Sequence, residues 1–184
     1  SVTWYLTENP DFNGNILVVE RDLTYAQWST GHTTSCVRQQ CSTELNIKIS
    51  QYAADLIKNI QCYMGGDTRV PKLDIQNFGY MYLANTEGSA DQLRRNQIVQ
   101  KNVGAATQLM SGESATRTYP FYNVDDIILG SINRVDEGYW DGATVFDWWQ
   151  RQSRECGAAY IQNEIVEINR NPAVGLINSV RLAS

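Results

Sequence analysis

The stretch from Ile16 to Gln40, ILVVERDLTYAQWSTGHTTSCVRQQ, constrains this chain more than any other. It opens on an unbroken apolar run, Ile16-Leu17-Val18-Val19, which ends abruptly at the charged triplet Glu20-Arg21-Asp22. Such a run predicts a strand buried on both faces, as in a parallel sheet. A carboxylate at the C-terminal end of a strand of that kind is placed to accept both hydroxyls of a ribose. A plain alternative is that Glu20 keeps the strand end soluble. A polar run of small residues follows, Ser29-Thr30-Gly31-His32-Thr33-Thr34-Ser35, and leads to Arg38-Gln39-Gln40. Backbone N–H groups and hydroxyls in such a run can approach a flat or anionic ligand.

Several separated blocks extend the pattern. VVERD-x-TY-x-x-x-STG is followed by RQQ-x-ST-x-x-NI-x-x-S, then Asn77 to Ala84 (NFGYMYLA), Tyr119 to Asn123 (YPFYN) and Asp136 to Asp141 (DEGYWD). Together these resemble the D-amino-acid oxidase/sarcosine oxidase superfamily of FAD-dependent oxidoreductases. Within it, they resemble the branch of FAD-dependent oxidoreductase domain-containing proteins. The resemblance implies an α/β chain: a partial FAD-binding Rossmann-like domain of the glutathione-reductase type with part of an α+β substrate domain. It assigns residues 1–72 to the FAD-binding part, 73–158 to the substrate-binding cap, and 159–184 to strands returning to the FAD-binding part. No glycine-rich G-x-G-x-x-G turn is present, and the family's C-terminal half has no counterpart here. The chain is therefore expected to be a fragment, completed by the remainder of the same protein or by a second chain.

The cofactor implied by the resemblance is FAD. Glu20 would hold the adenosine ribose, with Arg21 beside it. Ser29, Thr30, Gly31, His32 and Ser35 would face the pyrophosphate and the flavin, and the backbone of Val166 would meet adenine. Arg38 matches the position that holds a substrate carboxylate, a role suited to a guanidinium fork. An ion pair within the loop is the alternative. Gln40 is a weaker candidate beside it. No side chain is assigned as a catalytic acid or base. Cys41 replaces an aromatic common in relatives, and Trp28 and His32 replace small residues. The function implied is oxidation of an amino acid or secondary amine by hydride transfer to flavin. The rival reading is a non-catalytic, FAD-fold-derived assembly factor or structural subunit; an unrelated α/β binding module stands behind both.

The bulk numbers set limits. A net charge of −5 disfavours nucleic acid or an anionic membrane as partner, and no apolar run is long enough to span a bilayer. The four cysteines show no CxxC spacing, and only one histidine is present, so a metal site is not expected and free thiols in a reducing compartment, cytoplasm or mitochondrial matrix, are the simpler account.

Along the chain, residues 1–8 read as helix with Val2, Tyr5 and Leu6 on one side. A helix from 42 to about 63 places Ile47, Ile49, Tyr52, Ala53, Leu56, Ile57 and Ile60 inward, and Gly65-Gly66 stops it. A strand is expected within 73–84, a polar surface helix over 86–103, short strands at 108–110 and 126–133, and a helix over 142–154 with Val145, Phe146, Trp149 and Gln152 inward. Arg94-Arg95 reads as a solvated face. Residues 159–168 alternate as one strand, with 174–182 as its antiparallel partner.

Overall fold

A parallel strand pair and an antiparallel three-stranded sheet form the frames of two separate compact units. The computed structural model describes residues 2–26, 29 and 31–183. In chain order the elements are α1 (Val2–Thr7), β1 (Leu17–Glu20), β2 (Cys36–Val37), α2 (Glu44–Lys58), α3 (Ile60–Tyr63) and β3 (Tyr80–Ala84). Then come α4 (Glu87–Asn102), β4 (Gln108–Ser111), α5 (Gly112–Thr118), β5 (Leu129–Asn133) and β6 (Gly138–Tyr139). The last are α6 (Gly142–Glu155), β7 (Ala159–Gln162), β8 (Ile165–Arg170) and β9 (Ile177–Leu182). One unit comprises residues 1–33 with 142–184, and the other residues 34–141. These divisions differ from the boundaries read at 72 and 158.

In the first unit β1 and β7 run parallel, Leu17 beside Ala159 and Glu20 beside Gln162. The β1 strand is less buried than its apolar run suggests, with Leu17 54% exposed. An unbroken apolar run carries no phase, so it cannot say which faces are covered. The helix α1 buries Trp4, while Val2 and Tyr5 stay exposed. Trp4 meets Trp148 edge-on at 5.4 Å between ring centroids. In α6 the buried positions are Gly142, Val145, Trp148 and Ser153, so the inward phase is one residue off the Phe146–Trp149 face. Two adjacent tryptophans lie 100° apart on a helix, and either one satisfies the periodicity. Residues 159–168 form two strands. The chain turns at Asn163-Glu164, β7 staying with β1 and β8 pairing antiparallel with β9.

In the second unit the sheet order is β3-β5-β4, all antiparallel. The register puts Tyr82, Ser131 and Leu109 on one face and Met81, Ile132 and Gln108 on the other. The helix α4 packs across all three strands and buries Ala90 and Gln100. Its N-terminus is closed by Thr86 and Ser89, each side chain capping the other's backbone N–H. The helix expected to about residue 63 is α2 followed by the single turn α3. It buries Ile47, Ala54, Ile57 and Ile60, whereas Ile49 and Tyr52 are more than half exposed.

The polar core of this unit is built on Glu137, which has no exposed surface. Its Oε1 accepts the Gln39 backbone N–H at 2.6 Å and the Asn133 Nδ2 amide at 3.0 Å, and its Oε2 accepts Gln40 Nε2 at 3.1 Å. Gln40 continues outward, donating to the Tyr80 carbonyl at 2.8 Å and accepting from Ser131 Oγ at 2.8 Å. Beside it, β2 pairs with β6 through Val37–Gly138 and Cys36–Tyr139. Burial pushes the Glu137 carboxyl above the ordinary carboxylate range, against the pull of these donors.

Two outcomes follow for stability. A Cβ on Gly138 would lie 1.8 Å from the Gln76 carbonyl oxygen, a clash with backbone that cannot rotate away. Gly138→Ala is expected to cost roughly 2–4 kcal/mol in urea denaturation. The Glu137 carboxyl is raised in the folded chain, so the folded state binds its proton more tightly than the unfolded one. That contribution is complete below the unfolded value, is lost as pH rises through the raised folded value, and is flat above it. The stability difference between the native chain and Glu137→Gln, followed from about pH 4 to 8, is expected to shift against the native chain in that direction and then level off.

Candidate functional site

In the first unit the candidate residues gather where β1 ends. Glu20 is half-buried at the C-terminal edge of the parallel pair, the edge at which ligands bind in open α/β sheets. Its Oε1 accepts the Asp22 backbone N–H at 3.1 Å, and its second oxygen has no hydrogen-bond partner among the described residues. The turn beyond it is organised by Asp22, which sequence reasoning passed over. Its carboxylate accepts the Thr24 N–H at 2.9 Å, the Thr24 hydroxyl at 2.5 Å and the Ala26 N–H at 3.2 Å. The Thr24 hydroxyl is the largest of the influences that hold this carboxyl below its usual range. The signal was the Asp-x-Thr spacing of a side-chain-to-backbone turn. With Asp22 committed to the loop, Glu20 is the carboxylate left at the strand end.

Arg21 points to the β7–β8 corner, 3.7 Å from Glu164 in an exposed ion pair. Ser29, Gly31 and His32 lie exposed on the loop leaving β1. His32 Nε2 sits 3.0 Å from the Ala26 carbonyl, which requires the ring proton on that nitrogen. Thr30 and Trp28 lie outside the described residues. Val166 is on the β8–β9 ribbon, at an irregularity in the ladder between Ile165 and Glu167. Tyr25 has φ +57° and packs edge-on against Phe146 at 5.0 Å; burial raises its phenol.

The remaining candidates belong to the second unit. Ser35, at φ +46°, turns the chain into β2, and its carbonyl accepts the Trp140 N–H at 2.9 Å. Within residues 37–40 only Arg38 is exposed: Val37, Gln39 and Gln40 are buried. The Arg38 guanidinium lies 5.9 Å from the centroid of the Tyr80 ring, and no carboxylate among the described residues pairs with it. The ion pair within the loop is thus not formed there. Tyr80 stays neutral, its phenol pushed up to about 12 by the hydrogen bond to Cys36 first and by burial second. Arg38 stands on the wall of a pocket of about 290 Å³ that also takes in Ser42, Asn46, Tyr82 and Asn96. Gln40 touches this pocket, but its amide is engaged on both sides in the Glu137 network. A second hollow, about 540 Å³ beside β4 and α5, contains none of the candidate residues.

All four cysteines are free thiols. Among the described residues no cluster of His, Cys, Asp and Glu is arranged to hold a metal, and no helix is long and apolar enough to cross a membrane.

The family model for FAD-dependent oxidoreductases matches residues 1–183. The FAD-dependent oxidoreductase domain-containing protein 1 of Bos taurus is 34% identical over 152 residues, covering 82% of this chain and 31% of the relative. That of Xenopus laevis is 30% identical over 173 residues, covering 92% and 34%. The chain thus spans about a third of the length of these curated relatives. Among solved structures, L-proline dehydrogenase from P. horikoshii superposes with a TM-score of 0.75 at 20% identity, covering 98% of this chain and 45% of that one. Glycine oxidase from Bacillus cereus gives 0.67 at 14% identity, covering 99% and 49%. These likenesses establish a shared mixed α/β fold. With nearly its whole length matched, this chain belongs to the FAD-dependent oxidoreductase family.

Proposed function

We propose that this chain contributes the ribose-gripping strand end and the carboxylate-binding arginine to the FAD-dependent oxidation of an amino acid or secondary amine. The observation that carries the reading is Arg38: an exposed guanidinium on a pocket wall, laid over the Tyr80 ring, with no acidic partner among the described residues. A planar fork held this way matches a carboxylate bidentately. Two relatives in fold, L-proline dehydrogenase and glycine oxidase, are named for amino acids.

The residues of the first unit fit the adenosine end of the cofactor. Glu20 is a half-buried carboxylate with an oxygen to spare at the ligand edge of a parallel pair. Arg21 flanks it, while Ser29, Gly31 and His32 supply N–H groups, a hydroxyl and the one imidazole of the chain on the loop beyond; Thr30 belongs to the proposed set by the sequence resemblance alone. The Val166 backbone completes the first unit's set, and Ser35, in the second unit, is proposed separately as a cofactor contact. When bound, the flavin supplies the acceptor for a hydride from the substrate carbon bearing the amine. The contribution of Arg38 is positional: holding the carboxylate fixes which hydrogen faces the acceptor. Once the substrate ammonium has lost its proton to water, its lone pair would form the C=N bond as the C–H hydride departs, so no side chain of this chain would have to abstract the α-proton.

The test is anaerobic mixing of the full-length, flavin-loaded protein with a panel of N-alkyl and simple amino acids, read as bleaching of the visible flavin band. Arg38→Ala is expected to raise the half-saturating substrate concentration on the order of tenfold to a hundredfold, with Arg38→Lys in between. Glu20→Gln is expected to weaken FAD binding by about tenfold in a titration of the apoprotein. Absence of bleaching with every amine, or an Arg38→Ala response identical to the native one, would contradict the reading. A protein that binds no flavin would favour the structural-subunit alternative.

A further inference from the structure

We infer that Glu137 is the positioning residue for Arg38, a role that rests on the carboxylate-binding reading of that arginine. Arg38 is flanked on both sides by residues tied to one short segment. On its N-terminal side Val37 pairs with Gly138, and Cys36 with Tyr139. On its C-terminal side Gln39 N–H and the Gln40 side chain donate to the two Glu137 oxygens at 2.6 and 3.1 Å. The arginine backbone is therefore held from before and behind by residues 137–139. The same network also holds the backbone of Tyr80, whose ring centroid lies 5.9 Å from the guanidinium, because Gln40 Nε2 donates to the Tyr80 carbonyl at 2.8 Å.

The chemistry of the clamp argues that it holds something worth its cost. Taking a carboxylate wholly out of water is unfavourable by several kcal/mol when no cation accompanies it. Here it is met by neutral donors: a backbone N–H, the Asn133 amide and the Gln40 amide. A glutamine at 137 would turn one of its own N–H groups toward donors that need an acceptor. An aliphatic residue would leave the Gln39 N–H unpaired in a buried site. A carboxyl, with two acceptor oxygens and no N–H of its own, meets the Gln39 N–H, the Gln40 amide and the Asn133 amide at once. The segment so fixed carries one exposed side chain between two buried neighbours, and it is Arg38.

The experiment is a double-mutant cycle on the full-length, flavin-loaded protein with two probes, propionate and its uncharged isostere propionamide. Binding is read by perturbation of the flavin absorption band and, independently, by titration calorimetry. Arg38→Ala and Glu137→Gln are each expected to weaken propionate by about tenfold or more and to leave propionamide unchanged. The double variant is expected to bind propionate no more weakly than Arg38→Ala alone, since Glu137 acts through Arg38. Should Glu137→Gln fail to fold, Asn133→Ala removes one donor from the same oxygen and is expected to show a smaller, few-fold loss with the same selectivity. Equal weakening of propionate and propionamide, or a Glu137→Gln effect that adds in full to Arg38→Ala, would overturn the positioning role while the carboxylate role of Arg38 stood. An Arg38→Ala variant with native propionate affinity would overturn the carboxylate role itself, and the positioning role with it.

Discussion

The unit spanning residues 34–141 depends on one buried carboxyl. Glu137 gathers donors from the segment after β2 and from the end of β5, and its own backbone carbonyl accepts the Gly79 N–H at 3.1 Å just before β3. The penalty for burying a charge is steep, so such a group is kept only where every oxygen is met and the partners cannot easily be rearranged. That condition fixes residues 37–40 without placing them in a helix or a long strand. A site residue on such a segment combines the rigidity of a core with the exposure of a loop.

The first unit solves its problem differently. Here a short parallel pair ends in Glu20, and the turn that follows is stabilised by Asp22 bonding its own backbone neighbours. Division of labour between two acids two residues apart leaves one carboxylate shaping the loop and the other presenting an oxygen at the strand edge. Tryptophans 4 and 148 anchor α1 to α6 within the same unit through edge-on contact, which aromatic quadrupoles favour.

How much of this was legible in the sequence follows from the range of each interaction. Gly65-Gly66 follows α3 at positive φ, and Thr86 starts α4, both visible locally. The family blocks around Glu20 and Arg38 were likewise visible as contiguous strings. Phase and partner were not. The polar run Gln162-Asn163-Glu164 marks the corner inside residues 159–168, but nothing local says that the strand before it pairs with β1 and the strand after it with β9. The adjacent Trp148 and Trp149 fit the helix equally well in either phase. Glu137 lies in the contiguous block DEGYWD just before β6; its reach to Gln39, across nearly a hundred positions, has no local signature. Gln40, singled out for its place beside Arg38, turns inward because Glu137, Tyr80 and Ser131 claim its amide.

The most direct measurement of this account is amide hydrogen exchange at Gln39. If its N–H is locked onto Glu137 in a buried site, it should exchange only through opening of the whole 34–141 unit, as slowly as the central strand β5, despite lying outside regular secondary structure. Exchange at Gln39 as fast as at the exposed loop around Gly31 would show that the clamp does not hold, and the arginine beside it would lose its claim to a fixed position.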